Sequence, residues 1–461
     1  MIELLTLCGF EEQEIELELP RIEKAFNKLS INLDDIENGK QRLRKYYDIE
    51  LKGVRKVFRL CVKELVNALL IREESEKKVI YGFMAPGVDL ICSVLASNSD
   101  KVYAISQCWA FQIVYGCIFG KIVATLEEAE KKWLKAGAVA HCANVKTLAG
   151  SLTSGLFPKP DLLVTAGFLC ETAPKTLDLL HELYDVPVWY IDTCKDREKW
   201  EHPEPVDRIA DLTAKSFAGL TGKVQEITGV EITDNMLSEV MDAKGKLGSA
   251  LARLRKLVQN GDPLPLSPTH ENLWMCLNSL TLSIDGIAEA TETINTLYDE
   301  LKQRVDNGLG VVEKGAPRIL AILPAGQTDP RLEYLACEVG IAIVAIDTNS
   351  RPPSTKTSED PYIKFGLDLE QAPLDLTVSG RIPFIIEMCK QLNVDGVLDR
   401  YHVGCRTVVA DALILQEALK QELGLPVLVM EWENFDPRAY NHEQFKHRLE
   451  VFKTIMTQHS A

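Results

Sequence analysis

The sequence predicts an α/β protein of two parallel-sheet domains joined by a helical connector, with a helical segment in front. Three observations predict it. Short apolar runs that end in turn residues and lead into amphipathic stretches fill residues 79–205. The same alternation returns over 315–461, and the stretch between, 206–314, carries no convincing strand. The chain also has 461 residues, more than one ordinary core accommodates.

Residues 1–78 read as charged helices. RIEKAFNKLSINLDD and LKGVRKVFRLCVKELVNALLIREE place apolar residues three and four apart, with Cys61 inside the stripe. KKVIYGFMAPGVDLICSVLAS then changes period: a short apolar strand, a Pro-Gly turn and a helix. DKVYAISQCWAF, AGAVAHCANVKTLAG, PDLLVTAGFLCETAPKTLDLLHEL and VPVWYIDTC continue that alternation. Residues 206–314 read as long helices, with Ser267 and Pro268 as cap and first-turn residue of the last of them and Cys276 in its core. PRILAILPAGQTDPRLEYLACEVGIAIVAID restarts the strand–helix pattern, and residues 382–433 repeat it. Each half is thus expected to be a Rossmann/flavodoxin-like parallel sheet, and the shared plan is what an old duplication would leave.

Apolar residues make up 46% and charged residues 26%, a globular composition. A formal net charge of -16 opposes binding to nucleic acid or to an anionic membrane. The first residues, MIELLTLCGFEEQEIELELP, lack the basic start of a signal peptide, and no apolar run is long enough to span a bilayer, so a cytoplasmic location is expected. The 12 cysteines are then not expected to form a disulfide framework. Most are expected to be small buried hydrophobes, and no C-x-x-C pair occurs.

Three cysteines stand out by position. Cys170 follows the strand LLVTAGFL, Cys405 follows GVLDRYHVG, and Cys142 lies between AGAVA and the helical VKTLAGSL. Ligands of open parallel sheets bind beyond the carboxyl ends of the strands, and a helix N-terminus favours the thiolate. Three thiolates from two domains can hold iron–sulfur, zinc or copper(I) with one coordination position left open. Three unrelated half-buried thiols account for the same pattern, and on composition alone that simpler reading is favoured.

Three motifs carry a resemblance. HCANVKTLAG is similar to a Cys-x-Tyr/Phe-Val-Lys-x-x-x-Gly segment, with Asn144 in place of the aromatic. TAGFLCETAPKTLDLLHELYDVPVWYID is similar to a second cysteine segment with its helix and strand. The closing block from Val394 supplies Cys405 and the run Glu431, Asp436, Pro437, Arg438, Tyr440. From about residue 79 onward the chain resembles the 2-hydroxyacyl-CoA dehydratase and benzoyl-CoA reductase family, in its dehydratase D-component or reductase B-type subunits. The N-terminal helical segment is long for that family, and the length and connector sit closer to a reductase-type subunit.

The resemblance implies a [4Fe-4S] cluster on Cys142, Cys170 and Cys405, and an acyl-CoA thioester as substrate. It implies a homologous second subunit or a second copy as partner, and an ATP-hydrolysing iron–sulfur activator that supplies single electrons. Dehydration of a 2-hydroxyacyl group and reduction of an aromatic ring both remain open. His402 and Glu171 are weak candidates for acid–base work, and His141 has the same standing; a satisfied structural histidine and a helix-capping acid are the simpler readings. Lys146 and Arg406 could meet CoA phosphates, against the simpler reading of solvated helix charges. Trp109, Trp189, Trp200 and Trp432 are expected in core or interface, and Asp436 as a cap. Further cysteines near expected strand ends, Cys108, Cys117, Cys194, Cys337 and Cys389, leave room for a double-cubane [8Fe-9S] cluster and small-molecule reduction. A non-catalytic partner subunit and a three-thiolate zinc protein complete the alternatives.

Overall fold

The computed structural model describes residues 1–83, 87–106, 109–133, 142–167, 172–192, 206–323, 328–349, 356–370, 378–401, 405 and 411–459. Four helices come first: α1 (Ile2–Leu7), α2 (Glu12–Lys28), α3 (Leu33–Tyr46) and α4 (Lys52–Glu74). Asn32 caps α3, and Asp35 returns the bond to the Asn32 N–H, so two orphan amides of the first turn are satisfied.

Strands β1 (Lys78–Phe83), β2 (Val102–Ser106), β3 (Leu162–Ala166) and β4 (Val188–Ile191) form the first sheet, in the order β2-β1-β3-β4 and parallel throughout. Between them lie α5 (Val88–Asn98), α6 (Trp109–Phe111), which runs on as a π-helix over Gln112–Ile118, α7 (Val123–Trp133), α8 (Ala143–Thr153) and α9 (Thr172–Tyr184). β3 is buried along its whole length, the property that reads as a continuous apolar run in sequence.

The long helices follow: α10 (Val206–Thr228), α11 (Asp234–Asn260), α12 (Glu271–Ser279) and α13 (Ile284–Asp306). Thr233 and Ser283 cap α11 and α13. Ser267 caps a 3-10 turn at Pro268–His270 that leads directly into α12. Leu237, Val240, Leu247, Leu251 and Leu254 form the buried stripe of α11 at three- and four-residue steps.

The second sheet repeats the first. β5 (Arg318–Ile322), β6 (Ala342–Ile346), β7 (Gly396–Asp399) and β8 (Val427–Val429) lie in the order β6-β5-β7-β8, again all parallel. Its helices are α14 (Arg331–Glu338), α15 (Pro361–Glu370), α16 (Val378–Leu392), α17 (Ala412–Leu423) and α18 (His442–His459). In β5 the side chains alternate between two cores. Leu320 and Ile322 join the large core shared with the first half, while Ile319 and Ala321 face a smaller one under α18. Phe445, Leu449, Phe452 and Met456 of α18 close that second core.

The order of strands therefore reverses at the same place in both sheets, between β1 and β3 in one and between β5 and β7 in the other. Open parallel sheets take ligands in the crevice beyond the carboxyl ends at this switch. Among the described residues no single helix is long and apolar enough to cross a membrane.

Candidate functional site at the carboxyl edges of the two sheets

Cys142 is the N-cap residue of α8, in extended backbone (φ -62°, ψ 155°), and its carbonyl accepts the Lys146 N–H at 3.2 Å. Its side chain makes no capping bond and is half-buried. Cys405 is also half-buried and comes after β7 in the chain. Both pack against the same large core, which runs through both halves. In sequence Cys170 comes after β3, the strand that holds in the first sheet the position of β7 in the second. Cys170 itself, Glu171, His141, His402 and Arg406 lie outside the described residues, as do Cys108, Cys194 and Trp200. Among the described residues no three His, Cys, Asp or Glu side chains are placed so that together they could hold a metal ion.

Asn144, where the motif resemblance has an aromatic, is buried and accepts a hydrogen bond from Gln112 of the π-helix at 2.7 Å. An aromatic ring there would leave the Gln112 amide group without that acceptor in a dry setting. Gly150, the last residue of the same motif, has its own reason. A Cβ on it would lie 2.0 Å from the Thr125 carbonyl oxygen of α7. Only glycine lets α8 approach α7 so closely.

Lys146 is not the solvated helix charge expected from sequence. Its ammonium donates to Glu130 of α7 at 3.0 Å. The same carboxylate accepts two hydrogen bonds from Arg438, at 2.8 and 3.1 Å. Arg438 also grips Asp436, and Asp436 caps the 3-10 turn Pro437–Ala439 through the Arg438 N–H. The helix that Cys142 opens is thus joined, by one acid, to the Asp-Pro-Arg run of the second half. The Arg438 guanidinium holds the Glu130 carboxyl at about 2, well below the usual carboxylate range, against a smaller desolvation effect. Trp109 and Phe435 meet across the same boundary, ring centroids 6.3 Å apart. Arg331 of α14 secures the turn from the other side, donating to the Pro437 carbonyl at 3.1 Å and lying 4.2 Å from the Tyr440 ring centroid.

A second group of charges, which the sequence did not foretell, lies at the edge of the second sheet. Asp347 follows β6, Asp399 ends β7, and Arg400 comes next. With Glu333 of α14 and Arg381 of α16 they are all at most 4% exposed. Arg381 donates to Asp347 at 2.9 Å and to Asp411 at 3.3 Å. Arg400 pairs with Glu333 and donates to the carbonyls of Ile322 and Leu323. Leu323, directly after β5, has φ +72°, a left-handed conformation that an L-leucine rarely takes. Asp347 accepts its N–H at 2.8 Å while Arg400 binds its carbonyl, so both peptide groups of the strained residue are held. The one sequence signal was the Asp-Arg pair in GVLDR, polar residues at the end of a buried strand.

Three of the cysteines expected near strand ends lie inside helices instead. Cys117 is in the π-helix, Cys337 in α14 and Cys389 in α16. Burial pushes each of these thiols up to about 12, which disfavours the thiolate a metal needs. Runs such as FQIVYGCIFG are apolar on every side, and periodicity does not separate buried helix from buried strand in them. Cys61 and Cys276 are core residues, with their sulfurs 3.7 Å apart. Trp109 and Trp432 are buried and Trp189 half-buried.

The model of the 2-hydroxyglutaryl-CoA dehydratase D-component family matches residues 105–456. The chain belongs to this family. It is 20% identical over 343 residues to the (R)-2-hydroxyisocaproyl-CoA dehydratase alpha subunit of Clostridioides difficile, covering 72% of this chain and 81% of that one. It is 22% identical over 318 residues to the lactoyl-CoA dehydratase alpha subunit of Anaerotignum propionicum, with 66% and 71% covered. It is 21% identical over 315 residues to a benzoyl-CoA reductase subunit of Thauera aromatica, with 65% and 71% covered. The dehydratase D-component family match takes in Cys142, Cys170, Cys405 and the Asp-Pro-Arg run, and leaves the four N-terminal helices outside it.

Proposed function

We propose that this member of the family is the iron–sulfur subunit of an ATP-activator-dependent enzyme acting on acyl-CoA thioesters. The reaction is 2-hydroxyacyl-CoA dehydration or ring reduction of the benzoyl-CoA type. Cys142 and Cys405, with Cys170, would hold a [4Fe-4S] cluster, whose chemistry is low-potential single-electron transfer to a thioester carbonyl. What supports the assignment is the donor chemistry. Both described thiols are half-buried, attached to opposite halves of the molecule, and packed on one continuous core.

The observation that carries the reading is the chain of bonds from α8 through Glu130 to Arg438. It fixes the segment opened by Cys142 against the second half. A site assembled from two halves needs such fixing, because misplacement by about 1 Å costs roughly a hundredfold in rate. Trp109 and Phe435 add an apolar contact at the same boundary, of the kind that would help keep water from a reactive radical. The partners in this reading are a second family subunit or a second copy, and a separate ATP-hydrolysing activator. The alpha-subunit names of the relatives support the first of these.

The test is turnover under strict anaerobiosis. The full chain is combined with its partner subunit, an ATP-driven activator and either a 2-hydroxyacyl-CoA or benzoyl-CoA. Mass spectrometry then looks for a thioester lighter by one water or heavier by two hydrogens. Turnover of neither, with the activator shown competent on another family enzyme, would refute the reading.

A further inference from the structure

We propose that Cys61 and Cys276 are a buried dithiol site, oxidised by a small neutral peroxide to a disulfide that locks the N-terminal helical segment to the connector. The proposal stands apart from the acyl-CoA reading and does not depend on it.

The two residues are 215 positions apart in the chain, Cys61 in α4 and Cys276 in α12, and their sulfurs lie 3.7 Å apart. Both side chains are fully buried and both thiols are free. A single buried cysteine is a small hydrophobe and needs no further account. Two sulfurs in contact are more than that, because each holds the group that resolves the other's oxidation. A disulfide needs the sulfurs at about 2.05 Å. Rotation about the two Cα–Cβ bonds can supply the remaining approach of about 1.7 Å.

A cavity gives the pair its reagent. It holds about 10 Å³, room for about one water, and its wall includes Glu64, Leu65, Ala68, Trp109 and Leu280. Leu65 and Ala68 stand four and seven residues after Cys61, on the same face of α4. Leu280 stands four residues after Cys276, at the end of α12. The cavity is thus one helical turn from the dithiol along both helices. A molecule the size of water or little larger fits it, and a bulky or charged reagent does not. Glu64 gives that wall a polar group with which a peroxide can hydrogen-bond. Burial first, then the neighbouring Cys61, raise the Cys276 thiol well above its ordinary range. The thiolate is scarce, so the oxidation is slow and needs a reagent that enters the core.

The oxidation has two steps. The sulfur of one cysteine attacks a peroxide oxygen, the O–O bond breaks, and the thiol proton leaves with the displaced hydroxide as water. The second sulfur then attacks the sulfenic acid so formed. The S–S bond forms, the S–O bond breaks, and the second thiol proton leaves with that hydroxide as another water. Two electrons pass from the sulfurs to the peroxide, and a dithiol reverses the change. The link joins a helix before residue 105, where the family match begins, to one inside the match. In the unfolded chain it closes a loop spanning 215 positions, a constraint that favours the folded state.

In the test, the full chain is reduced, freed of reductant under argon and treated with hydrogen peroxide. Catalase destroys the excess, N-ethylmaleimide in urea blocks the remaining thiols, and mass spectrometry maps the digest. The expected result is a peptide pair joining Cys61 to Cys276, two hydrogens lighter than its parts, absent before peroxide and removed by dithiothreitol. The linked chain is expected to unfold at a higher urea concentration than the reduced one. Cys276→Ala, which keeps a small apolar side chain, is expected to form no link and to show no such rise. Dithiobis(nitrobenzoate), bulky and charged, is expected to leave both thiols of the folded chain unmodified. Cys61 and Cys276 both found blocked by N-ethylmaleimide, after peroxide that has consumed Cys142 and Cys405, would overturn the proposal. So would Cys61 joined to Cys8, the other thiol near it.

Discussion

Glu130 accepts two hydrogen bonds from Arg438, residues 308 positions apart in the chain, and its Oε1, which takes one of them, also accepts from Lys146. Glu130→Gln keeps the volume and removes the charge. Arg438 is about a third exposed, so solvent screens the pairing and the expected loss is about 1 kcal/mol. The folded carboxyl is depressed, to about 2, so its contribution is complete above the ordinary glutamate range and is lost as pH falls toward 2. Urea denaturation of wild type and Glu130→Gln is expected to differ at pH 6 and to converge near pH 2 to 3. The difference should also shrink in about 1 M salt, where exposed charges are screened.

Glu64 gives the opposite sign. It is buried on α4, with the Tyr103 hydroxyl 3.4 Å away, beside a cavity of about 10 Å³, room for about one water, lined by Ala68, Ile105, Trp109 and Leu280. Desolvation raises its carboxyl to about 7. The unfolded chain ionises it near pH 4 while the folded chain keeps the proton, so stability is lost as pH rises between about 4 and 7. Glu64→Gln is expected to be more stable than wild type at pH 8, by up to about 3 kcal/mol. That advantage should vanish below pH 4 in thermal melts across the range.

Gly150→Ala tests the contact between α7 and α8. The added methyl would meet the Thr125 carbonyl oxygen at 2.0 Å, and a backbone group cannot step aside as a side chain can. The expected destabilisation is about 3 kcal/mol, the upper range for overpacking. A melting temperature unchanged by the substitution would show that the two helices are not in this contact.

Thiol chemistry separates the cysteines. Burial pushes Cys117 and Cys389 up to about 12 and raises Cys8, Cys92 and Cys276 as well, so all five are expected to resist alkylation in the folded chain. Cys142 and Cys405 are half-exposed. Brief iodoacetamide treatment of metal-free protein, followed by peptide mass mapping, is expected to mark these two well before the buried five.

What could be read from sequence follows from how local each feature is. The strands showed themselves as Val-Ile-Leu runs because both faces of β3 and β7 are buried, and Cys142 was placed before a helix because VKTLAGSL has a helical composition. Cys117 was misplaced because its helix is apolar all round. Lys146 and Arg438 stand in two separate motifs, and nothing in sequence links them to each other or to Glu130, since the chain of bonds takes its members from separate elements. In sequence Glu130, Glu333, Asp347 and Arg381 look like ordinary surface charges. Only packing shows that Arg400 is enclosed and that Glu130 serves both halves.

Cys142, Cys170 and Cys405 are proposed to hold redox-active iron together. Iron and acid-labile sulfide per chain, measured on protein purified without oxygen, test it most directly. The expected content is about four of each, that of one [4Fe-4S] cluster, with loss of both in Cys405→Ser and in Cys142→Ser. Iron-free protein from rigorous anaerobic work, or full iron retained in both variants, would contradict it.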